Sequence, residues 1–311
     1  MNWKPISQFT LTPELGLATS LWNVDGEKHH TMRPTAGLYA NANVTKKLSL
    51  GGSLSLYTEA PSASSSSNVL VKSTELLWTK GNPDLKNYLS WNTSFGASYL
   101  ALDWLDLSFR VNYNRIKDDF LTVYTAAPAD KGGLIQSELN ATPLNIYGSY
   151  INFDFNVLNR DLKFSLCPNW YYFQSNKQKE NNINYFSLNG SLSYTMKNCD
   201  FSIDYEGPSK SLDMGGMEKN WYHSICNFSF TYGNGDWHLL VKVEDIFNKK
   251  GKTKYAYTSQ NYSSYRETRK WGRCFVVSLT CTFGYGKKVD RSIDISGTSN
   301  TKTSIIGKES K

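Results

Sequence analysis

A histidine beside a serine is the first place in this sequence where chemistry could be expected. His223 and Ser224 are adjacent, and such a pair could supply the base and the nucleophile of an acyl-transfer reaction. The surrounding residues predict an extended strand, in which neighbouring side chains point to opposite faces of a sheet. A hydrogen bond between the two side chains is then out of reach, so we expect no catalytic dyad.

Acidic pairs, cysteines and glycine-rich turns give no stronger indication of catalysis. Asp118–Asp119 and the pair Asp204 and Glu206 fit a solvated surface better than general acid–base chemistry. The five cysteines form no Cys-x-x-Cys motif, and the four histidines lack metal-ligand spacing. The glycines of 233–237 precede no helix, so they indicate a turn rather than a phosphate-binding loop. We expect a protein that is not an enzyme and that holds no metal or cofactor.

Aromatic and basic residues alternate in two segments that are predicted to be loops, 60–87 and 248–268. Aromatic rings and cations together suit binding of sugar faces or acidic groups. The candidate ligand-binding residues are Trp78, Lys80, Tyr255, Tyr257, Tyr262, Tyr265 and Arg266. The alternative is that these loops contact lipopolysaccharide phosphates or only solvent.

The elements that must position these loops are β-strands, because apolar residues recur at every second position. Leu48, Leu50, Leu54 and Leu56 alternate with small or polar residues, which is a period of two rather than 3.6. The same alternation continues to the aromatic residue Phe283. Twelve strands are predicted, at about 8–22, 32–45, 47–58, 88–101, 105–126, 135–158, 162–175, 183–197, 200–212, 219–232, 236–247 and 269–283.

The connections between these strands alternate in length, which indicates the type of sheet. Short turns are predicted near 46, 103, 160, 198 and 234. Longer connections are predicted near 26, 60–87, 130, 179, 215 and 248–268. Short turns at one rim and long loops at the other are typical of a transmembrane β-barrel. The expected fold is therefore an all-β, antiparallel, up-and-down barrel in a membrane rather than a soluble sandwich.

A barrel of this kind needs one face toward lipid and one toward a wet lumen. Charged side chains cannot face acyl chains cheaply, so they are assigned to the lumen. The predicted lumen-facing residues are Asp106, Arg110, Asp154, Asp204, Glu206, His223, Lys242 and Glu244. No run of about 18 apolar residues is present, so no transmembrane helix is expected.

Net charge and the chain ends complete the domain assignment. The charge of +7 is concentrated in 249–273 and after Gly286, without an amphipathic basic face, so a nucleic-acid partner is not expected. Residues 1–286 are predicted to form the barrel, and 287–311 a basic, polar, disordered tail. The first residues contain no charged region followed by an apolar one, so no signal peptide is expected.

Three stretches resemble the TonB-dependent receptors of Bacteroidetes-type outer membranes. GNPDLKNYLSW (81–91) resembles the segment that leads from a surface loop into a strand in that family. VEDIFNKK (243–250) resembles the end of the penultimate barrel strand. GRCFVVSLTCTFGYGKK (272–288) resembles the final strand with its aromatic end and a Gly- and Lys-rich extension. The three motifs occur in the order and at the spacing of the family.

The resemblance implies the barrel portion of a receptor that takes up a large nutrient, such as a glycan, a peptide or a metal chelate. Family members have a signal peptide, an N-terminal plug and a barrel of about 22 strands. Twelve predicted strands therefore imply the C-terminal portion of such a barrel, without signal peptide and plug. The alternative is a self-contained twelve-stranded barrel that acts as a passive pore or a surface adhesin.

The implied partners follow from the same resemblance. They are outer membrane lipid and lipopolysaccharide, the barrel assembly machinery that would recognise Phe283, and a surface lipoprotein. A TonB-type energy transducer would act only through the plug.

Overall fold

The computed structural model describes residues 3–6, 8–24, 26–177, 179–248, 250–258 and 262–283. The first strands along the chain are β1 (Trp3–Ile6), β2 (Phe9–Val24), β3 (Glu27–Asn43), β4 (Leu48–Glu59), β5 (Leu70–Thr74), β6 (Leu77–Lys80), β7 (Tyr88–Leu102), β8 (Leu105–Lys117), β9 (Phe120–Ala126) and β10 (Leu134–Asn140). They are followed by β11 (Leu144–Val157), β12 (Leu162–Ser175), β13 (Ile183–Met196), β14 (Cys199–Glu206), β15 (Ser209–Asp213), β16 (Glu218–Tyr222), β17 (Ile225–Asn234), β18 (Trp237–Glu244), β19 (Lys250–Thr258), β20 (Ser263–Trp271) and β21 (Cys274–Cys281).

Helical structure in these ranges is limited to single turns. They are the α-helical turn Ala63–Ser66 and the 3-10 turns Leu158–Arg160, Lys179–Asn181 and Met214–Gly216. No helix in the described part of the chain has the length and apolar character needed to cross a membrane. The predicted tail 287–311 lies outside the described residues.

Thirteen strands form one large sheet, in the order β1-β2-β3-β4-β7-β8-β11-β12-β13-β14-β17-β18-β21. Twelve of them correspond to the twelve predicted strands, and the short β1 adds one more at the edge. Every neighbouring pair is antiparallel and follows its partner up and down along the chain. The predicted all-β, antiparallel, up-and-down architecture is confirmed. Within the described residues, the sheet has an unpaired edge at β1 and another at β21.

The strand register places apolar and polar residues on opposite faces of this sheet. On one face Leu107 lies directly opposite Phe153. On the other face Asp154 lies between Asp106 on β8 and Ser165 on β12. Because side chains alternate along a strand, the same separation extends through all neighbouring ladders. The two-faced pattern seen in the sequence is therefore a property of the whole sheet.

The apolar face is exposed to a degree that no protein core would show. Leu15 is 90% exposed and Phe275 is 71% exposed, although both sit within long ladders. In a membrane, hydrocarbon would cover such residues.

Five predicted strands are too long, because the chain leaves the large sheet at defined residues. β8 ends at Lys117 rather than 126, since Asp118 adopts a φ of 56°, which no strand allows. β11 begins at Leu144 rather than 135, directly after Pro143, which has no N–H for the ladder.

Three further strands are also shorter than predicted. β14 ends at Glu206 rather than 212, because Gly207 and Pro208 follow it. β17 begins at Ile225 rather than 219, and the last strand begins at Cys274 rather than 269.

The residues that leave the large sheet form two small sheets of four strands each. Their orders are β5-β6-β10-β9, here named the first loop sheet, and β15-β16-β19-β20, the second loop sheet. Segment 60–87 therefore contains strands and a helical turn rather than an open loop. The connection near 26 is also shorter than predicted, because Gly26 closes a tight β2–β3 turn with a φ of 85°.

A buried apolar cluster lies on the polar face of the large sheet, close to the long connections. Leu144, Phe173, Ile183 and Leu212 form its centre. Leu144 and Phe173 have the same strand parity as the lumen-assigned Asp154. Leu212 comes from β15, so the β15–β16 hairpin folds back onto the inner face of the wall. The inner face is thus apolar near the loop side and polar further along the strands.

Backbone carbonyls in the turn of this hairpin are fixed by side chains at the ends of wall strands and in the connections next to them. Ser175 Oγ donates to Gly215 O at 2.6 Å, and Thr142 Oγ1 donates to the same oxygen at 3.2 Å. Asn181 Nδ2 donates to Gly216 O at 2.8 Å. Gly216 has a φ of 104°, and a Cβ there would lie 2.5 Å from the Ser175 side chain. Only glycine fits this contact.

Changing Val277 to Arg should destabilise the folded barrel, because Val277 is 69% exposed on the apolar face of β21. A cationic side chain near the bilayer midplane costs about 2–4 kcal/mol. The neighbouring Ser278→Arg is the control, since its side chain points to the polar face. Thermal unfolding in lipid vesicles, followed by heat-modifiable electrophoretic mobility, measures the difference. Equal losses in the two variants would contradict the assignment of the faces.

Changing Leu212 to Ala should release the β15–β16 hairpin from the wall. Removing a fully buried leucine costs about 2–5 kcal/mol. We expect faster cleavage within 207–224 in limited proteolysis of the folded protein. Leu139→Ala, at a half-exposed position of β10, is the matched control and should leave the cleavage rate unchanged. The role of the cluster is refuted if both variants are cleaved alike.

Candidate functional site

The two loop sheets meet at a cleft with a volume of about 380 Å³. It is lined by Thr122, Tyr124, Gln136, Met214, Glu218, Tyr255, Tyr257, Tyr262, Ser264 and Arg266. Four tyrosines and one arginine dominate this lining. We name this set of residues the interloop cleft.

Aromatic contacts join the two loop sheets across the interloop cleft. The ring centroids of Tyr124 and Tyr262 are 4.6 Å apart, and those of Tyr257 and Tyr262 are 6.1 Å apart. Tyr257 Oη also donates a hydrogen bond to the backbone oxygen of Thr122. Tyr124 and Thr122 lie on β9, whereas Tyr257 lies on β19. The cleft is thus built by two connections that are far apart in the chain.

A cation lies against this aromatic lining. The guanidinium carbon of Arg266 is 4.5 Å from the ring centroid of Tyr255, which is its register partner on β19. A guanidinium stacked on a ring keeps its N–H groups free at the rim for an anionic or carbonyl oxygen. The carboxylate of Glu218 adds one negative group to the same lining. The cleft can therefore bind a ring by stacking and a polar group by hydrogen bonds.

Four of the seven predicted ligand-binding residues meet in the interloop cleft, namely Tyr255, Tyr257, Tyr262 and Arg266. Tyr265 lies on the opposite face of β20, in a separate depression beside Trp221 and Lys254.

Trp78 and Lys80 also lie away from the cleft. Both belong to β6, where the intervening Thr79 is the register partner of the cleft residue Gln136, so their side chains point to the other face. The Trp78 ring lies 5.7 Å from Lys72 Nζ and 5.2 Å from Lys131 Nζ. The ligand roles of all seven residues stay predictions.

Sequence reasoning missed six of the ten residues that line the cleft. Thr122, Tyr124 and Gln136 fall in stretches that were predicted to continue membrane strands, because they keep the alternation of apolar and polar residues. The one available signal was the polar pair Asp118–Asp119, which marks the point where β8 leaves the wall.

The predicted lumen residues share one face of the large sheet, with one exception. Asp106 and Asp154 are direct register partners, as are Arg110 and Tyr150. Asp204 pairs with Asn227 and Glu206 pairs with Ile225. Lys242 Nζ forms an ion pair with Glu244 Oε1 at 2.7 Å.

His223 is the exception, because it lies in the connection before β17 and not on a strand. Its Nε2 is 3.1 Å from Asp245 Oδ2, and its Nδ1 is 3.0 Å from the backbone oxygen of Lys252. Both ring nitrogens thus have partners other than Ser224. The prediction that placed His223 on the lumen face of a strand is wrong, because the ladder begins only at Ile225.

The motif around Asp245 holds the base of the β19–β20 hairpin, which supplies most of the interloop cleft. Asn248 Nδ2 donates to Asp245 Oδ1 at 2.5 Å and to Ser224 O at 2.9 Å. Arg273 N–H donates to Asn248 O at 2.8 Å. Together with His223, these contacts join the beginning and the end of the hairpin. The resemblance noted for 243–250 therefore coincides with a structural joint below the cleft.

The pKa of one carboxyl group near the first loop sheet, that of Asp119, is shifted. Burial raises the pKa of Asp119 above its ordinary value of 3.8, and the negative charges of Asp213 and Glu59 add to the shift. A hydrogen bond from the Phe120 N–H partly offsets these effects. A raised pKa means that the ionised carboxylate destabilises the folded state.

Changing Asp119 to Asn should therefore stabilise the protein at neutral pH. The cost of the ionised group is fully present above its folded pKa and disappears as the pH falls toward the unfolded value of 3.8. We expect the thermal midpoint of the variant to be higher than that of the wild-type protein at neutral pH. The difference between the two midpoints should become smaller as the pH is lowered from 8. Asp130→Asn, on an exposed turn, is the control. A constant difference across this range would contradict the shift.

Comparison with known proteins gives similarity over most of the chain. Residues 27–280 match the outer membrane protein beta-barrel family. Among solved structures, the siderophore receptor PirA of Pseudomonas aeruginosa has a TM-score of 0.63 at 16% identity and covers 91% of this chain and 47% of its own. The ferric enterobactin receptor PfeA of the same organism has a TM-score of 0.62 at 18% identity and covers 91% and 44%.

A third solved structure has the same fold. The copper transporter OprC has a TM-score of 0.64 at 12% identity and covers 91% of this chain and 46% of its own. This chain thus spans less than half the length of each of these structures. At such identities the similarity shows the fold alone. No curated protein has a matching sequence.

The family level of the resemblance seen in the sequence is confirmed, whereas its Bacteroidetes-type character stays a prediction. The two-faced antiparallel sheet, the exposed apolar face and the match over 27–280 agree with one another. This chain belongs to the outer membrane protein beta-barrel family and resides in the outer membrane.

Proposed function

We propose that this chain forms part of the wall and the ligand-binding loops of a TonB-dependent outer membrane receptor. The receptor takes up a large nutrient, of the class of a glycan, a peptide or a metal chelate. The observation that carries the proposal is the interloop cleft, in which stacked tyrosines and Arg266 lie on the loop side of a membrane sheet. The similar structures named as siderophore receptors and a copper transporter support uptake rather than adhesion.

The edges of the large sheet support a wall that further strands complete. In hydrocarbon, each unpaired N–H or C=O group costs several kcal/mol, so a membrane sheet must close. Within the described residues, β1 and β21 have no ladder between them. The solved receptors are about twice as long as the part that this chain matches. These observations favour a portion of a larger barrel over a self-contained passive pore.

Energy for uptake would come from a TonB-type transducer that acts through a plug inside the closed barrel. The polar inner face supplies a surface for such a plug, with Arg110 and Tyr150 beside a depression of glycines and serines.

The lining of the interloop cleft defines the chemistry of the cargo. Tyr124, Tyr257 and Tyr262 offer ring faces, which suit sugar rings and aromatic groups. Arg266 offers N–H donors for a carboxylate, a phosphate or a chelating oxygen. A cargo with a flat or ring-shaped part and an anionic or oxygen-rich part fits both features.

Changing Tyr262 or Arg266 to Ala should weaken cargo binding by about tenfold or more, as expected for a central aromatic or arginine contact. Binding is measured by quenching of intrinsic fluorescence of the purified receptor with a panel of glycans, peptides and ferric chelates. Tyr265→Ala and Arg269→Ala are the controls, because both side chains lie on the opposite face of β20.

Two results would contradict the proposal. One is equal loss of binding in the cleft variants and in their controls. The other is absence of binding for all three classes, together with a steady conductance in planar bilayers, which would favour the passive pore.

A further inference from the structure

The second loop sheet has two faces of different chemistry. One face carries Glu218, Tyr255 and Arg266 and borders the interloop cleft. On the other face, direct register partners form a row across all four strands, from Lys210 through Trp221 and Lys254 to Glu267. We name this second face the basic face. Its charged and aromatic residues with described side chains are Lys210, Lys219, Trp221, Lys252, Lys254, Tyr265, Glu267 and Arg269.

The positive charge of the basic face is not balanced within the sheet. The set contains five cations and one carboxylate, which leaves an excess of four positive charges. The carboxylate of Glu267 forms an ion pair with Arg269 Nε at 2.7 Å, and no other ion pair among the described residues involves this face. The pKa of Glu267 is lowered, mainly by the hydrogen bond from Arg269 and further by the charges of Lys252 and Lys254. The face therefore attracts anions from outside the sheet.

A depression of about 470 Å³ lies on the basic face, at the end of the sheet next to the wall. It is lined by Trp221, Tyr222, His223, Lys252, Lys254 and Tyr265. Lys252 and Lys254 are exposed there, and Tyr265 is 61% exposed. Ring faces suit the stacking of a sugar ring, and lysine ammonium groups suit a phosphate. The depression therefore fits a sugar that carries phosphate.

The packing of Leu212 shows in which direction the basic face points. Leu212 is on the same face as Lys210, two residues away on β15. It packs against Leu144, Phe173 and Ile183, whose side chains lie on the inner surface of the wall. The basic face therefore points from the lumen toward the wall, and the interloop cleft lies on the side of the lumen.

The wall is lower where the rest of the basic face lies. Residues 183–189 of β13 have no ladder with β14, so the wall steps down between these two strands. From there to β21 the ladders end together on the loop side, with Glu206 opposite Ile225 and Glu244 opposite Cys274. Trp221 lies four residues before Ile225, which keeps it within about 14 Å of this lower rim. The long connections of such barrels are extracellular, so the basic face looks over the rim toward the outer leaflet.

We propose that the depression on the basic face binds the phosphorylated sugar headgroup of lipopolysaccharide in the outer leaflet. Lys252 and Lys254 bind the phosphate, and Trp221 and Tyr265 contact the sugar. Tryptophan and tyrosine are also the residues that favour a membrane–water interface. The bound lipid neutralises part of the excess charge and attaches the second loop sheet to the membrane surface. This inference rests on the outer membrane location and not on the proposed uptake function.

The experiment uses the full chain, purified in detergent and freed of lipopolysaccharide. Native mass spectrometry measures the bound fraction as purified lipopolysaccharide is added, either intact or chemically dephosphorylated. We expect the dephosphorylated form to bind about tenfold or more weakly, and the affinity for the intact form to fall as salt is raised. The double variant Lys252→Gln with Lys254→Gln should lose about tenfold or more in affinity for the intact form.

Lys46→Gln with Lys47→Gln is the matched control, because it removes the same charge from the exposed β3–β4 turn at the opposite rim. It should bind like the wild-type protein. Lys252→Arg with Lys254→Arg keeps the charge and should keep the affinity, which separates loss of the site from loss of folding.

The proposal is overturned if the Gln variant of Lys252 and Lys254 binds like the Lys46 and Lys47 control. It is also overturned if dephosphorylated lipopolysaccharide binds as tightly as the intact form, or if inorganic phosphate at millimolar concentration binds while lipopolysaccharide does not. Cargo binding is measured separately and involves the other face of the sheet. Failure of the lipid site therefore leaves the proposed function standing.

Discussion

Hydrocarbon offers no hydrogen-bond partner to a peptide group, and this constraint determines the large sheet. Every backbone N–H and C=O at membrane depth must bond to a neighbouring strand, which explains the unbroken ladder from β2 to β21. This requirement for strand pairing ends where the strands leave the membrane, at the rim of the large sheet. There Asp118, Pro143 and the Gly207–Pro208 pair turn the chain away, and the connections pair with one another in two smaller sheets. The loop-side surface is thus built from strands that the membrane no longer requires to stay in the wall.

Alternation in the sequence was sufficient to predict the number, the direction and the two faces of the wall strands. It was not sufficient to predict where five of them begin or end, because β9, β10, β15, β16 and the end of β20 were assigned to them as continuations. A local pattern cannot distinguish a wall strand from a loop strand when both have one solvated face. The same limit applies to the cleft. Tyr255, Tyr257 and Arg266 are close in sequence, whereas Thr122 meets Tyr257 across 135 residues and depends on tertiary folding.

Three separate groups of contacts hold the loop sheets in position. Asp245 and Asn248 join the two ends of the β19–β20 hairpin, with His223 as an additional partner. Leu212 seats the β15–β16 hairpin in an apolar cluster on the inner wall. Tyrosine contacts then connect the two loop sheets. The first two groups of contacts attach the loop sheets to strands of the wall. The geometry of the cleft therefore depends on the large sheet as well as on the loops.

The strands of the wall differ greatly in length, and this has a consequence for the shape of its loop-side edge. β2 and β3 contain 16 and 17 residues, whereas β21 contains only 8. Residues 27–35 of β3 have no ladder with β4, so the end of the β2–β3 hairpin projects beyond its neighbour as a two-stranded ribbon. The strands of the second loop sheet come from the connections at the other flank, between β14 and β21. The loop-side edge of the large sheet is therefore uneven, with this ribbon at one flank and the second loop sheet at the other.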